Sequence, residues 1–194
     1  MNLAQSLRDY SELAAGFVSR YRIAVVIGVA ALVLAAGSWF GYSTWKDRKE
    51  RALSGQVNRL TIELMNLAQA ADASLEAQDR ITSIYGEYER IGRENPSTVN
   101  GLRAVFLSAN GDFQSGRFPQ AREKYLKLYH KDGRHYLAGQ ALYAAALTHE
   151  EEGQLDKCVE LLREFERRYP SHWLYGEVEL ALARNLAGSG KPDQ

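Results

Sequence analysis

The chain has little cysteine, little proline and no excess of charge of either sign. Its one cysteine, Cys158, excludes an intramolecular disulfide, and since it lies deep in the chain no amino-terminal cysteine is there for lipidation. The 24 Lys and Arg residues balance 24 Asp and Glu residues. The first 22 residues hold three of the bases and two of the acids, which leaves 21 and 22 for residues 46–194. Such a balance gives no overall attraction to nucleic acid, so we expect no nucleic acid among the partners.

Charge is missing altogether from Ile23 to Trp45. The most apolar part, residues 23–40, would form a helix about 27 Å long, close to the roughly 30 Å of a bilayer's hydrocarbon core. Arginines precede this run, and aromatic residues followed by bases come after it, as is typical of the two membrane interfaces. The flanking residues are Arg20, Arg22, Trp39, Phe40, Tyr42, Trp45, Lys46, Arg48, Lys49 and Arg51. The sequence therefore predicts a transmembrane helix over residues 23–45, with the lipid bilayer as a partner, after an amino-terminal segment of residues 1–22.

A cleaved signal peptide is the alternative for the same run, because Ala35-Ala36-Gly37 has the small residues that a signal peptidase accepts. We favour the anchor because a lead of 22 residues that contains Asp9 and Glu12 is long for a signal peptide. The aromatic residues after Gly37 would also have no purpose in a released protein. The count of charges does not decide the orientation of the span in the membrane, since three arginines precede the run and four basic residues follow it.

Residues 46–194 show helical periodicity throughout and are predicted to be one all-α domain, with no apolar/polar alternation typical of strands. Two apolar stripes come first, and we expect their helices to be antiparallel and packed together. The first stripe, with its steps of four and three, is alternatively a short coiled-coil seam. The stripes are Leu53, Val57, Leu60, Leu64 and Leu67, then Ile81, Ile84, Tyr85, Tyr88 and Ile91.

A repeat follows the two stripes. Residues 116–121 align with residues 153–158 at a separation of 37, and each copy is predicted to be a helix, a turn and a helix. In the second copy Ala146 and Cys158 are the small residues at which helices cross, Gly153 permits the turn and Pro170 ends the second helix. This copy fits the large, small, glycine and proline positions of a tetratricopeptide repeat over its whole length: Leu142, Ala145, Ala146, Gly153, Leu155, Cys158, Leu162, Phe165 and Pro170.

The first copy is looser, because Asp112 stands where an aromatic residue is usual and Gly133 replaces the proline. A helix over residues 80–94 is predicted as the second half of a still more divergent unit, and residues 177–187 as a terminal capping helix. The predicted fold is thus all-α: one amino-terminal transmembrane helix, then a tetratricopeptide-like α-solenoid of helix-turn-helix repeats over residues 46–194.

This order of parts resembles the YfgM-type ancillary subunits of the bacterial Sec translocon, which are single-span inner-membrane proteins with a periplasmic repeat domain. The resemblance implies a cytoplasmic segment 1–22, a periplasmic domain 46–194, and a role as an adaptor that links Sec translocon subunits with periplasmic chaperones or clients. Residues 165–171 are also similar to repeats of outer-membrane assembly lipoproteins and of the Tol-Pal-associated coordinator. The alternative function is therefore a scaffold or assembly factor for another cell-envelope complex.

Residues with catalytic or ligand chemistry are few, and we expect no enzyme activity, no cofactor and no metal. Residues 188–191 lack the preceding strand and following helix of a phosphate loop. His130 and His135 flank a turn without further ligands at a recognised spacing, so we interpret them as solvated turn residues. His149 is interpreted as core filler. Neither a GxSxG nor an HExxH motif is found.

Partner binding remains, and the repeat register predicts its location, because the first helices of stacked units line one concave face. The alternative is that the long first helix or the terminal helix covers this face. A homodimer through Gly37 and Gly41, a small-xxx-small pair, is possible, but we do not expect it. The predicted partner-binding residues are Arg103, Phe106, Asn110, Phe113, Gln114, Gln140, Tyr143, Leu147, Glu150 and Glu151.

Overall fold

A computed structural model describes residues 22–70 and 74–190, and all regular structure in these residues is α-helical. The prediction of an all-α protein is therefore confirmed for this part of the chain. The predicted segment 1–22, apart from Arg22, lies outside the described residues. The helices are α1 (Arg22–Gln69), α2 (Leu75–Glu94), α3 (Val99–Gln114), α4 (Phe118–Lys131), α5 (Ala138–Glu151), α6 (Leu155–Arg168) and α7 (Tyr175–Gly188).

The first of two compact units ends at Lys49 and contains the apolar part of α1. This helix is long and apolar enough to cross a membrane, and none of its most apolar stretch is buried. Its aromatic end is ordered by its own contacts: the rings of Tyr42 and Trp45 lie 6.2 Å apart, and Lys49 Nζ lies 5.6 Å from the Trp45 ring. Apolar side chains on all faces with no protein around them are typical of a helix whose solvent is lipid.

The second unit, Glu50–Gln194, begins with the remainder of α1. Leu53, Val57 and Leu60 are buried against Ile84 and Tyr88 of α2, so the predicted packing of the two stripes is confirmed. The helices run antiparallel, since the contact partners on α2 move back along the chain as the residue numbers on α1 rise. Thr61 Oγ1 lies 2.9 Å from Tyr88 Oη, and further along Arg80 Nη2 donates to Glu63 Oε2 at 2.8 Å. Helix α2 begins at Leu75, earlier than the predicted 80, because Ser74 Oγ accepts a hydrogen bond from Ala77 N.

The predicted separation of 37 residues is visible in the helix bounds themselves. Helices α2, α4 and α6 end at Glu94, Lys131 and Arg168; α3, α5 and α7 end at Gln114, Glu151 and Gly188; and α4 and α6 begin at Phe118 and Leu155. From α2 to α7, each helix packs against the next one along the chain. The second unit is thus a row of helix-turn-helix pairs with a constant spacing.

The turn inside each pair has the same backbone geometry. Gly116 and Gly153 have φ of 71° and 70°, a left-handed conformation that glycine adopts without steric cost. One hydrogen bond closes each turn. After α3, Arg117 N donates to Asp112 O at 2.8 Å, and after α5, Gln154 N donates to His149 O at the same distance. Gly190, another 37 residues along, repeats the conformation with φ of 73°. The aligned glycines therefore have the role that the sequence predicted.

Small side chains lie where helices cross. Ala109, Ala121, Ala146 and Cys158 form two pairs 37 residues apart, and all four are fully buried in one core. Since interiors are close-packed, a larger side chain at these positions would have to displace a neighbouring helix.

Replacing Ala146 with Leu is expected to destabilise the second unit by about 1–3 kcal/mol, because the added atoms overpack a closed helix crossing. Ala183, the residue 37 positions further along, provides a matched control because its side chain is exposed. Ala183→Leu should change the free energy of unfolding by less than about 0.5 kcal/mol. Denaturant unfolding of both variants measures this, and equal effects at both positions would show that the repeat register is wrong.

Candidate partner-binding site

The ten predicted partner-binding residues form five pairs of equivalent positions, one member on α3 and the other 37 residues later on α5. In chain order the pairs are Arg103 and Gln140, Phe106 and Tyr143, Asn110 and Leu147, Phe113 and Glu150, and Gln114 and Glu151. In the described part of the chain, no hydrogen bond or ion pair joins the α3 members to the α5 members. Each half of the site is therefore held by its own set of contacts.

The α3 half is held by neighbouring helices. Phe106 is half-buried, with its ring 5.4 Å from that of Tyr125, and Tyr125 Oη donates to Asn110 Oδ1 at 2.6 Å. Phe113 packs edge-on against Phe118 at 5.4 Å. Gln114 is exposed but accepts a 2.7 Å hydrogen bond from the hydroxyl of a tyrosine on α2. These side chains connect α3 to α2 and α4, which leaves less of their surface for a partner than the sequence predicted.

Helix α1 reaches the first member of the row, Arg103. Its Nη1 donates a 2.7 Å hydrogen bond to Asn58 Oδ1 of α1. Nearby, the Glu50 carboxylate accepts from the backbone N–H groups of Val99 and Asn100 at 2.7 and 3.2 Å, which satisfies two donors at the start of α3. Helix α1 therefore contacts the row at Arg103.

The α5 half matches the α3 half in exposure, but in the described part of the chain fewer of its side chains are hydrogen-bonded. Gln140, Tyr143 and Leu147 are half-buried and Glu151 is exposed. Glu150, however, accepts two hydrogen bonds from Arg184 of α7, at 2.7 and 2.9 Å, and this pairing holds the pKa of the Glu150 carboxyl below its usual range. The terminal helix α7 is thus paired with the row at Glu150.

One further residue of the row lies on α7 and was not predicted from the sequence. Leu180 lies 37 positions after Tyr143, and its side chain is 67% exposed. The signal that could have identified it is the same spacing, extended one unit further. Phe106, Tyr143 and Leu180 together place one large apolar side chain on each of three successive first helices: the first two are half-buried and Leu180 is exposed.

His135 and His172 hydrogen-bond the backbone just before a helix begins. His135 Nδ1 accepts from Leu137 N at 3.2 Å, and His172 Nδ1, 37 residues later, accepts from Leu174 N at 3.1 Å. Burial lowers the pKa of both imidazoles, although at His135 the nearby Asp132, Val99 backbone and Glu50 act in the opposite direction. Within residues 22–70 and 74–190 no group of three His, Cys, Asp or Glu side chains is arranged to hold a metal. The interpretation of His135 as a solvated residue is wrong, because its side chain is half-buried and hydrogen-bonded to the backbone just before α5.

His149 and Asp112 share one role at equivalent positions. His149 Nδ1 lies 3.0 Å from Gln154 Oε1, and Asp112 Oδ1 accepts a 2.9 Å hydrogen bond from Arg117 Nε, so each side chain bridges the glycine turn that follows it. Asp112 is buried and also pairs with Lys124 Nζ at 2.7 Å. This ion pair explains why an acid stands where an aromatic residue is usual.

A cavity of about 250 Å³ lies between α2, α3 and α4. Its walls are apolar at Leu102, Val105 and Leu128, and its rim carries four cations: Arg93, Lys124, Lys127 and Lys131. Lys124 is neutralised by Asp112 and Glu89, whereas the other three have no ion-pair partner among the described residues. The volume is below that of usual sites for drug-sized ligands, so it suits one side chain of a partner.

Cys158 has no reactive character. Its side chain is fully buried, and burial raises the pKa of the thiol to about 12, so the thiolate that nucleophilic chemistry requires is not populated near pH 7.

No protein-family model, no curated protein and no solved structure matches the chain.

Acidification from pH 7.5 to 5 is expected to reduce the free energy of unfolding. Because the folded-state pKa values of His135 and His172 are lowered, their stabilising effect is fully present above about pH 6.5, the unfolded value, and is lost as the pH falls toward the folded values. Denaturant unfolding across this range measures the slope.

The double variant His135→Asn/His172→Asn supplies side-chain acceptors that do not titrate, so its pH dependence should be shallower. His149, whose pKa burial also lowers, keeps part of the dependence in this variant. An unchanged slope would rule out His135 and His172 as the source of the pH dependence.

Proposed function

We propose that this protein is a membrane-anchored, tetratricopeptide-like adaptor of the bacterial inner membrane that links the Sec translocon with periplasmic chaperones or clients. Helix α1 supplies the anchor, the second unit is the periplasmic interaction domain, and residues 1–22 are cytoplasmic. The observation that carries the proposal is the row of helix-turn-helix pairs with 37-residue spacing that follows one long apolar helix. The translocon and the orientation come from the resemblance of the sequence to the YfgM-type subunits.

The anchor is supported by the physical state of α1. Its large apolar side chains between Val26 and Trp45 are each more than half exposed, and burial of such side chains contributes about 1.5–3 kcal/mol apiece. A sequence that left them in water would expose a large contiguous apolar surface, which soluble proteins avoid. A bilayer surrounds these side chains with lipid and so removes the free-energy cost of exposing them to water.

A solenoid arrangement is supported by the packing order in the second unit. Each helix contacts its neighbours along the chain, the helix bounds recur every 37 residues, and the crossing positions Ala109 and Ala146 have equivalent burial. In repeat proteins this order produces an extended face of first helices, which is a common protein-binding surface.

The binding face that we propose is the open part of the predicted row: Tyr143, Leu147 and Leu180, with Gln140 and Glu151 beside them. Tyrosine and leucine side chains that are partly exposed can receive an apolar segment of a partner, for instance one face of an amphipathic helix. Four residues of the row already have hydrogen-bond partners within the chain: Arg103, Asn110, Gln114 and Glu150. They contribute to the shape of the face rather than offering free polar groups to a partner.

A scaffold or assembly factor for another envelope complex is the second candidate. It is favoured by the similarity of residues 165–171 to repeats of envelope assembly factors, and it uses the same anchor and the same face. The identity of the co-purified partners separates the two candidates.

Leu180→Arg is expected to reduce recovery of translocon subunits severalfold when the full chain is extracted in mild detergent and affinity-purified. The exposed position makes the effect on folding small, because surface substitutions change stability by about 0.5 kcal/mol or less. Glu179→Arg adds the same side chain at the adjacent exposed residue and serves as the control. Recovery of outer-membrane assembly or division proteins instead of translocon subunits would favour the second candidate.

Orientation can be measured with a cysteine at Ser171, which is exposed. Because Cys158 is buried with a raised thiol pKa, the unmodified chain gives little background labelling. In intact cells with a permeabilised outer membrane, Ser171→Cys should react with a membrane-impermeant maleimide, whereas Ser6→Cys should react only after the inner membrane is opened. The reverse pattern would place the second unit in the cytoplasm.

A further inference from the structure

A second set of exposed apolar residues recurs with the 37-residue spacing, at the other end of the first helices from the glycine turns. Val99, Tyr136 and Trp173 occupy equivalent positions and are 50%, 59% and 70% exposed. They lie in the three connections between helix pairs, over residues 93–101, 130–139 and 167–176, which we call the connection edge. Exposed aromatic residues in register along one edge have no role in the core, which points to a partner outside the chain.

Contacts between these connections make them one surface. Tyr169 Oη donates to Gly133 O at 2.8 Å, which joins the second and third connections. Arg93 and Pro96 of the first connection and Lys131 of the second line the same cavity. The three apolar side chains are therefore presented by a continuous edge of the second unit.

Charge on this edge has one dominant sign. The three connections contain five Arg and Lys residues against two acids, Glu94 and Asp132. Arg93, Lys131, Arg134 and Arg167 have no ion-pair partner in the described part of the chain. The glycine-turn ends are different: residues 114–120 and 150–157 contain four acids and two bases. Aromatic residues among unpaired cations match the headgroup region of an anionic bilayer.

Chain connectivity brings a membrane within reach of the connection edge. Glu50, whose carboxylate binds the backbone of Val99 and Asn100, follows Trp45 by five residues. Five residues span at most about 18 Å even when fully extended. The unit that carries the connection edge is therefore joined by a short covalent link to the aromatic end of the proposed span.

We propose that the connection edge docks onto the anionic lipid surface of the membrane that anchors the chain, with Tyr136 and Trp173 at headgroup level and Arg134 and Arg167 on lipid phosphates. This proposal rests on the proposed anchoring by α1. Docking through this edge leaves the row of Tyr143, Leu147 and Leu180 free for a protein partner.

The test uses the full chain in nanodiscs whose lipids include anionic headgroups and acyl chains brominated near the carbonyl, so that bromine quenches indole at the interface. The chain has three tryptophans. In the variant Trp39→Phe/Trp45→Phe, Trp173 is the only reporter, and its emission should lose intensity relative to nanodiscs without bromine. Substituting Arg134→Gln and Arg167→Gln in the same background should reverse much of that loss.

Two controls make the result specific. Gln120→Trp in a chain with the three native tryptophans replaced by phenylalanine places the reporter in the first turn of α4, about 16 Å from the end of that helix, and its emission should not change. Trp45 alone reports on the anchor and should be quenched. Quenching at Trp45 without quenching at Trp173 would overturn the docking proposal, leave the anchor intact and favour a protein as the occupant of the edge. Absence of quenching at both sites would overturn both proposals.

Discussion

The second unit depends on close helix crossings at positions that have only small side chains. Ala109 and Ala121 in one pair, and Ala146 and Cys158 in the next, are fully buried and let each helix lie directly against its neighbours. The large residues of the second helices, such as Leu128 and Phe165, then fill the space on either side of the crossing. Since the helices contact mainly their neighbours in sequence, these local crossings determine the whole arrangement, and the glycine turns between them need only reverse the chain.

Much of this arrangement is predictable because its determinants are local. Apolar spacing identified the stripes on α1 and α2, and the alignment of Gly116 with Gly153 identified two turns with the same left-handed conformation. Periodicity and turn chemistry act within a few residues, so the sequence alone is sufficient to reveal them. The starting point of α2 was less accurate, since the cap at Ser74 precedes the apolar stripe by several residues.

The candidate site was harder to predict because long-range pairing determines which of its residues stay accessible. Arg103 bonds to Asn58, 45 positions away, and Glu150 binds Arg184, 34 positions away. No periodicity indicates such pairs, which depend on where α1 and α7 lie against the row. Asp112 illustrates the same limit: by motif it was an irregular residue, and in three dimensions it is the buried acceptor for Arg117 and Lys124. Leu180 and the pair His135 and His172 could have been predicted from the sequence, because the 37-residue spacing extends to both.

The proposed adaptor function requires that α1 stays attached to the second unit in the cell, since an adaptor released from this anchor could not hold its partner at the membrane. Intact mass spectrometry of the protein purified from the membrane fraction tests this requirement most directly. The anchored protein retains the segment from Ile23 to Trp45 and gives a chain of 21.8 kDa. A shorter chain that begins near Ser38 and is recovered from the soluble periplasmic fraction would contradict the account, because the segment would then be a signal peptide cleaved after Ala35-Ala36-Gly37.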